Sequence, residues 1–344
     1  MKQAMIERAG QLSIIDAAMP DPGPNELRVR PVAVGICGSD LHAFNGSHPF
    51  IDLPVVPGHE VAGVVDATGS GAGAFRVGDR VLLEPNLVCG HCFYCSAGRY
   101  NLCEELRVVG CQTAGGMAEA FTAPEGRFHP VPDGMTWAEA ALVEPMSTAT
   151  HATRIAGDLR DAVVVVLGAG SIGLMTLLAA RAAGASIVAI SDPLEGKRRH
   201  AIELGAAAAF DPTSPQFVQA VRQSLPHRPD VVFDCVAGQS SIAQAIALAE
   251  KGGTVVVIGV PRGPVEIPLP IVQDREIRIQ GSAMYVVQDV QRAIDLIGAH
   301  TVDARRLVTA TFPLEQAADA FAAARSGDHL KVQIRVGSEG EPVD

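Results

Sequence analysis

The clearest pattern in the chain is an apolar run followed by a glycine-rich turn. Residues Val163–Leu167 are continuously apolar, which is typical of a strand buried on both faces of a parallel sheet. The next segment predicts a turn and a helix that ends near Gly184, and a second apolar stretch then ends at Asp192. The turn has the spacing G-x-G-x-x-G, formed by Gly168, Gly170 and Gly173. Together these elements predict a dinucleotide-binding unit.

The same pattern predicts which dinucleotide binds. The glycines would let the backbone approach a pyrophosphate at the helix N-terminus. Asp192 would accept hydrogen bonds from the adenosine ribose hydroxyls, and its charge would repel a 2′-phosphate. The sequence therefore favours NAD over NADP. The alternative is a purely structural glycine turn in an α/β domain.

The alternation of strands and helices continues after this unit. It predicts helices over 197–204, 216–225 and 241–250, and strands over 230–236, 254–260 and up to Ser282. This pattern indicates an α/β fold with a doubly wound parallel sheet of about six strands. We expect this domain to span residues 153–287. The other domain would comprise residues 1–152 and 288–344, with the C-terminal tail returning to it.

Composition narrows the class of protein and the range of partners. A chain of 344 residues suits two domains, and 48% hydrophobic with 19% charged residues is typical of a globular protein. The net charge is -11, and no stretch is dense in Lys and Arg, so we expect no nucleic-acid partner. The longest apolar run is too short to span a membrane, and the N-terminus lacks the apolar core of a signal peptide. We therefore expect a cytoplasmic protein without a membrane partner.

A cysteine-rich segment, VCGHCFYCSAGRYNLC, indicates a metal site. Its spacing is C-x2-C-x2-C-x7-C, formed by Cys89, Cys92, Cys95 and Cys103. Four thiolates can close a tetrahedron around zinc. A ferredoxin run has three residues before its last cysteine and then a proline, and a thioredoxin motif needs a neighbouring βαβ pattern. We therefore favour zinc over an iron–sulfur cluster or free thiols. A closed site leaves no position for substrate, so this zinc would be structural.

Three other fragments offer a different ligand set. GICGSDLH contains Cys37, PGHEVAG contains His59 and Glu60, and VEPMSTATH contains Glu144. One thiolate, one imidazole and one carboxylate would make a catalytic zinc site with an open fourth position. Each residue also has a structural interpretation. The cysteine could be a small buried apolar residue, the histidine a satisfied core residue, and Glu144 a cap or an ion-pair partner. Spacing alone leaves both interpretations open.

These fragments, with VGDRV, GGMAEAF and GAGSIG, together resemble the zinc-dependent medium-chain dehydrogenase/reductase superfamily over essentially the whole chain. The resemblance implies a GroES-like, mainly β catalytic domain, with a Rossmann domain inserted before the C-terminal tail. It also implies two zinc ions per chain, one structural and one catalytic, and a homodimer or homotetramer. Cys37 and His59 match the catalytic ligands. In relatives, one of the glutamates matching Glu60 and Glu144 binds the metal, and the other can act through its water.

The resemblance also implies a reaction. Glu144 stands where liver-type alcohol dehydrogenases carry cysteine, and this glutamate is similar to the polyol, threonine and sugar-acid branch. The implied enzyme transfers hydride from a secondary alcohol group of a polyol or sugar acid to NAD. L-Threonine or a simple secondary alcohol is the alternative substrate, and a non-catalytic zinc- and NAD-binding protein is the alternative class. Ala43 and Met284 depart from polyol relatives, which often carry an aromatic residue and an arginine there.

The remaining candidates concern proton transfer and cofactor contacts. Ser39 and His42 match the family's relay from substrate oxygen through the cofactor ribose to solvent. Asp40 is expected to shape the turn, and Cys111 and Cys235 are expected to be buried and inert. Further candidate cofactor contacts are Ile172, Lys197, Val260 and Tyr285.

Overall fold

The computed structural model describes residues 1–261, 263–301 and 303–337. The chain divides into two compact units. The first comprises Met1–Glu144 and Ala293–Asp344, and the second comprises Pro145–Arg292. None of the helices in the described part of the chain has the length and apolar character needed to cross a membrane.

The strands, numbered along the chain, are short, and most belong to the first unit. They are β1 Lys2–Arg8, β2 Gln11–Asp16, β3 Glu26–Gly35, β4 Glu60–Thr68, β5 Arg80–Leu83, β6 Asn86–Leu87, β7 Arg107–Val108, β8 Phe121–Pro124, β9 Phe128–Pro130, β10 Val163–Leu167, β11 Ile187–Ser191, β12 Ala208–Phe210, β13 Val231–Asp234, β14 Thr254–Val257, β15 Arg278–Gly281, β16 Val308–Pro313 and β17 Lys331–Arg335.

The helices are concentrated in the second unit and at its ends. They are α1 Gly38–Phe44, α2 Phe93–Ser96, α3 Trp137–Ala141, α4 Val143–Ala156, α5 Ser171–Ala182, α6 Glu195–Glu203, α7 Phe217–Ser224, α8 Gln239–Leu248, α9 Leu269–Asp274, α10 Val287–Gly298 and α11 Ala317–Ser326.

The first unit is built on a seven-stranded, mainly antiparallel sheet. Its strand order is β16-β17-β3-β4-β5-β9, and β8 also pairs with β3. Along β3, Leu27 and Val29 are buried on one face, as the two-residue period of a strand predicts. β17 pairs antiparallel with β3, with Gln333 opposite Gly35. The C-terminal segment therefore completes the sheet on which the first candidate site is built.

The second unit contains the parallel sheet that the sequence predicts. Six strands lie in the order β12-β11-β10-β13-β14-β15, and all of their pairings are parallel. All five residues of β10 are buried, because a central strand of a sheet covered on both faces contacts protein on each side. The chain runs outward in one direction from β10 and then returns to β13 on its other side. This reversal places the glycine turn after β10 at the switch point where dinucleotides bind in such sheets.

Candidate metal centres and cofactor loop

Cys37, His59 and Glu60 form the first candidate metal centre. Their ligand atoms all lie within 4.8 Å of one another. Cys37 is the N-cap of α1, just after β3, and His59 immediately precedes Glu60, the first residue of β4. Because Gly35 of β3 lies opposite Glu60 in the sheet, the strand register brings these side chains together. A thiolate, an imidazole and a carboxylate are ligands that zinc accepts at an open catalytic site.

Glu60 is held by a buried lysine from the last strand. The Lys331 ammonium donates to both carboxylate oxygens of Glu60, at 2.6 and 2.8 Å, and to the Ile36 carbonyl at 3.1 Å. Burial alone lowers the pKa of Lys331, but the charges of Glu60 and Cys37 outweigh it and raise that pKa. The absence of a side chain at Gly35 leaves space for the Glu60 carboxylate, since a Cβ there would overlap Glu60 Oε2. The lysine lies in KVQIRV, whose pattern predicted only a strand.

Ser39 and Asp40 approach the two ring nitrogens of His59. Ser39 Oγ lies 3.5 Å from Nε2, and Asp40 Oδ1 lies 3.6 Å from Nδ1. The other oxygen of the fully buried Asp40 accepts a hydrogen bond from the Cys37 N–H at 2.8 Å. Burial raises the pKa of Asp40, and burial lowers the pKa of His59. The Asp40 charge nevertheless raises the pKa of His59 well above its usual range. Asp40 therefore acts on the imidazole through its charge as well as shaping the turn, since its Oδ1 and His59 Nδ1 are not hydrogen-bonded.

The other predicted catalytic residues lie in the same unit. Glu144 is buried at the start of α4, and its charge acts on Lys331, although it lies outside the set whose ligand atoms are within 4.8 Å. His42 is half-buried in the last turn of α1. His48 was not singled out from the sequence. Its pKa is lowered by burial and by the charges of His42 and His59, so it belongs to the same electrostatic neighbourhood.

The two remaining cysteines differ in their surroundings. Cys111 is buried, as expected, but its thiol interacts with His59; burial raises the pKa of that thiol, and the interaction partly offsets the rise. Gly110 explains the placement, because it has φ +83° and a Cβ there would lie 2.7 Å from the Gly58 carbonyl. The Cys235 residue is partly exposed, but its thiol is buried, as expected, and that burial raises its pKa to about 12.

The four cysteines of the second motif form a closed set. Their Sγ atoms all lie within 4.8 Å of one another, with Cys89 3.9 Å from Cys95 and 3.6 Å from Cys103. Backbone N–H groups also point at the sulfurs, and those of Glu104 and Cys95 lower the pKa of Cys92 to about 6. All seven cysteines of the chain are free of disulfides. Four converging thiols with N–H donors around them fit a tetrahedral zinc.

The glycine motif joins β10 to α5 and fits a dinucleotide. Gly168 has φ +95°, a conformation that favours glycine, and Gly170 is the N-cap of α5. A Cβ on Gly173 would overlap the Gly168 carbonyl oxygen. The turn is therefore tight enough to bring backbone N–H groups close to a ligand. The twelve-residue α5 begins here, and its N-terminus favours an anion such as a pyrophosphate.

Asp192 follows β11 and is bonded to the glycine loop. Its Oδ2 accepts a hydrogen bond from the Ala169 N–H at 3.0 Å, and its Oδ1 accepts one from the Leu194 N–H at 2.9 Å. Arg198 of α6 donates to the carbonyls of Asp192 and Pro193 at 2.7 and 2.9 Å. The carboxylate is thus fixed beside the loop. Arg198, which the sequence pattern did not single out, therefore reaches this turn from α6.

The four further cofactor candidates lie in the second unit and differ in exposure. Ile172 in the first turn of α5 and Lys197 on α6 are half-buried. Val260, which follows β14, is 44% exposed. Tyr285 is 1% exposed, so its ring is enclosed by protein. Their contacts with a cofactor stay predictions.

The sequence matches two protein-family models. Residues 23–133 match the alcohol dehydrogenase GroES-like domain, and residues 171–299 match the zinc-binding dehydrogenase domain. The first range contains the Cys37 set and the four-cysteine set. The second contains most of the parallel-sheet unit.

Three proteins illustrate how far the similarity extends. Sorbitol dehydrogenase of Ovis aries is 34% identical over 337 residues, which cover 96% of this chain and 95% of that protein. A zinc-binding dehydrogenase of Sinorhizobium meliloti 1021, solved with NADP, has a TM-score of 0.91 at 34% identity, covering 97% of this chain and 98% of that chain. An alcohol dehydrogenase of Escherichia coli CFT073, solved with NADH, has a TM-score of 0.92 at 30% identity, covering 97% and 99%. The similarity therefore spans both units.

Proposed function

We propose that this protein catalyses the NAD-dependent oxidation of a secondary alcohol group in a polyol or sugar acid. The chain belongs to the zinc-dependent medium-chain dehydrogenase/reductase superfamily and to its polyol dehydrogenase branch. The observation that carries the proposal is the convergence of Cys37, His59 and Glu60 within 4.8 Å. This donor set fits zinc with an open position for a substrate hydroxyl. The glycine loop and Asp192 supply a matching dinucleotide site.

The residues of the first site have different proposed roles in the reaction. A bound zinc supplies a Lewis acid that lowers the pKa of the substrate hydroxyl, and a bound NAD accepts the hydride. Cys37 and His59 would hold the metal, with the Asp40 charge beside the imidazole ring. Of the two glutamates, we assign Glu60 as the direct ligand because it belongs to the 4.8 Å set. Glu144 would then act through water.

Ser39 and His42 are proposed to carry the hydroxyl proton away. Ser39 Oγ lies 3.5 Å from His59 Nε2, so its hydroxyl is beside the ring of a proposed metal ligand. A hydroxyl accepts one hydrogen bond while it donates another, which suits a relay. His42 lies on the same short helix, α1, near its C-terminal end, and is half-buried. In the proposed path, this imidazole would exchange the proton with solvent.

We propose that the closed four-cysteine set holds a second, structural zinc. Its four thiols offer a full tetrahedron and no open position. The loop around them contains only the four-residue helix α2 and short turns. A metal would therefore replace the hydrophobic core that this loop lacks. The proposed total is two zinc ions per chain, one for each set.

The proposed cofactor is NAD rather than NADP. The Asp192 carboxylate is fixed at the end of β11, where its charge would repel a 2′-phosphate. Solved relatives carry NADP in one case and NADH in another, so membership of the family does not decide between them. The Arg198 side chain, which comes from α6, is already hydrogen-bonded to two backbone carbonyls of the turn after β11.

The substrate class follows from the branch, and the individual substrate does not. Ala43 is buried, and no aromatic side chain stands at that position. Met284 has φ +49° and lacks the charge of the arginine that polyol relatives often carry. A ligand with fewer hydroxyl contacts, such as L-threonine or a simple secondary alcohol, is therefore the second candidate. We also propose a cytoplasmic homodimer or homotetramer, as the resemblance to the family implies.

A substrate screen tests the proposed function. Polyols, sugar acids, L-threonine and simple secondary alcohols are offered with NAD or NADP, and reduced nicotinamide absorbance is followed with zinc present. We expect turnover with a polyol or sugar acid, and none from the Cys37→Ser control. A protein that binds zinc and NAD but oxidises no alcohol in the screen would belong to the non-catalytic class.

A further inference from the structure

Lys331 is a buried cation placed among the negative groups of the first metal centre. It is 3% exposed, and its ammonium bonds both oxygens of Glu60. Its charge also interacts with those of Cys37 and Glu144. With Asp40 as a fourth, these negative groups exceed the charge of a divalent cation, and Lys331 supplies one compensating positive charge. Asp40, the other acid nearby, lies against the far ring nitrogen of His59.

The fold ties this lysine to both segments that carry the ligands. Lys331 begins β17, which pairs with β3, and its third hydrogen bond goes to the carbonyl of Ile36, the residue before Cys37. Its other two bonds go to Glu60, the residue after His59. The three donors of the ammonium are therefore all used within the site. A lysine that only filled space would not need hydrogen-bond partners at these particular atoms.

We propose that Lys331 is a positioning residue of the metal centre, which fixes the Glu60 carboxylate beside Cys37 and His59 and cancels one negative charge of the ligand set. By cancelling that charge it sets how fast the metal leaves, and it keeps the metal a strong enough Lewis acid for the substrate hydroxyl. This inference rests on the proposed function, because it requires a divalent metal at the Cys37 set.

Charge compensation predicts a direction for the change in metal affinity that a purely structural role does not predict. Replacing Lys331 by Met removes a positive charge, so the remaining ligands hold a divalent cation more tightly. Replacing Glu60 by Gln removes a negative charge, so the cation is held less tightly. A lysine that only supports the fold predicts a loosened site, and hence faster metal release, in both variants. Opposite changes therefore identify charge balance.

The experiment measures zinc release from the purified protein to a colour-forming chelator. Cys37→Ser identifies the phase that belongs to the first centre, because that phase is missing from this variant. We expect this phase to slow about tenfold or more in Lys331→Met and to accelerate about tenfold or more in Glu60→Gln. Cobalt substitution of the same site adds a second readout. We expect the cobalt absorption spectrum to shift in Lys331→Met, because the unpaired carboxylate binds the metal more strongly.

The double variant Lys331→Met with Glu60→Gln keeps the test valid if one single variant does not fold. A lone Glu60 is a buried charge without its partner, whereas the double variant leaves two neutral side chains. Because its local charge equals that of the wild type, we expect its release rate to return to within about threefold of wild type. Faster release in all three variants would overturn the inference and leave the proposed function standing. A wild-type protein without any Cys37-dependent zinc phase would overturn both.

Discussion

The Arg154 guanidinium donates to both carboxylate oxygens of Asp289, at 2.6 and 2.9 Å, and so links α4 to α10. His151 Nδ1 lies 2.8 Å from the same carboxylate, which also accepts a hydrogen bond from the Val286 N–H. Burial raises the pKa of Asp289, but the hydrogen bonds from Arg154 and His151 outweigh it and lower that pKa to about 2. The ionised carboxylate therefore stabilises the second unit.

Asp289→Asn is expected to lower the free energy of unfolding by about 1–2 kcal/mol near neutral pH. The folded pKa lies below the unfolded value, so the stabilisation is full above about pH 4 and is lost as the pH falls towards about 2. The difference between variant and wild type should therefore shrink with acidification. Urea unfolding at several pH values measures it. A difference that stays constant down to pH 3 or below would contradict this assignment.

Asp158→Asn is a matched control for that prediction. Asp158 also pairs with an arginine, Arg160, but both side chains are more than half exposed. Water and salt screen such a pair, so its removal should change the stability much less than Asp289→Asn does.

Gly35→Ala is expected to disturb the first metal centre, because Gly35 of β3 lies opposite Glu60 of β4. Its Cβ would overlap Glu60 Oε2 and push the carboxylate away from Lys331. We expect a loss of roughly 1–3 kcal/mol in stability, together with lower zinc content and turnover. Gly38→Ala is the control, since a Cβ at Gly38 meets no atom within 4 Å. Equal behaviour of the two variants in thermal unfolding and zinc analysis would show that Glu60 does not need this space.

Asp192→Ser is expected to raise the ratio of NADP to NAD turnover efficiency, because it removes the charge that repels a 2′-phosphate. Asp192→Asn separates charge from hydrogen bonding, since its amide oxygen can still accept from the Ala169 N–H. Glu195→Gln removes an exposed charge nearby on α6 and should leave the ratio unchanged. A wild-type enzyme that uses both cofactors with equal kcat/KM would remove Asp192 from this role.

Ser39→Ala is expected to lower kcat by about 10²-fold with little change in zinc content or NAD affinity, because it removes a hydroxyl from the proton path. Ser70→Ala, in the exposed turn after β4, makes the same chemical change outside the site and should have no effect. The measurement is a pH–rate profile with both variants. If kcat and the profile were unchanged in Ser39→Ala, the proton would leave by another path.

Much of the fold was predictable because its signals are local. The continuous apolar run of β10 and the glycines after it identify the central strand and its turn, and the predicted sheet of about six strands is confirmed. The four-cysteine spacing likewise indicated a set that closes in space. The strand β16 was not predicted, although Val308, Ala310 and Phe312 alternate with Thr309 and Thr311.

The contacts around the first centre were not predictable, because they join segments far apart in the chain. Lys331 pairs with Glu60 across 271 positions, and nothing near KVQIRV marks the lysine as buried. Cys111 reaches His59 only because Gly110 packs against Gly58. Such placements follow from strand register and loop packing, which the sequence pattern does not encode locally. The alternation of KVQIRV would place Lys331 on the same face as Gln333 and Arg335, so the pattern itself gives no sign of the pair.

The measurement that tests the central claim most directly compares zinc content and turnover in two cysteine variants. Cys37→Ser should give a folded, NAD-binding protein that keeps the zinc of the four-cysteine set and has little turnover. Cys95→Ser should lose that zinc and part of its thermal stability, while the folded fraction keeps the zinc at Cys37 and measurable activity. If Cys95→Ser abolished turnover with stability intact, while Cys37→Ser unfolded the protein and spared the activity of what remained folded, the two sites would have the opposite roles.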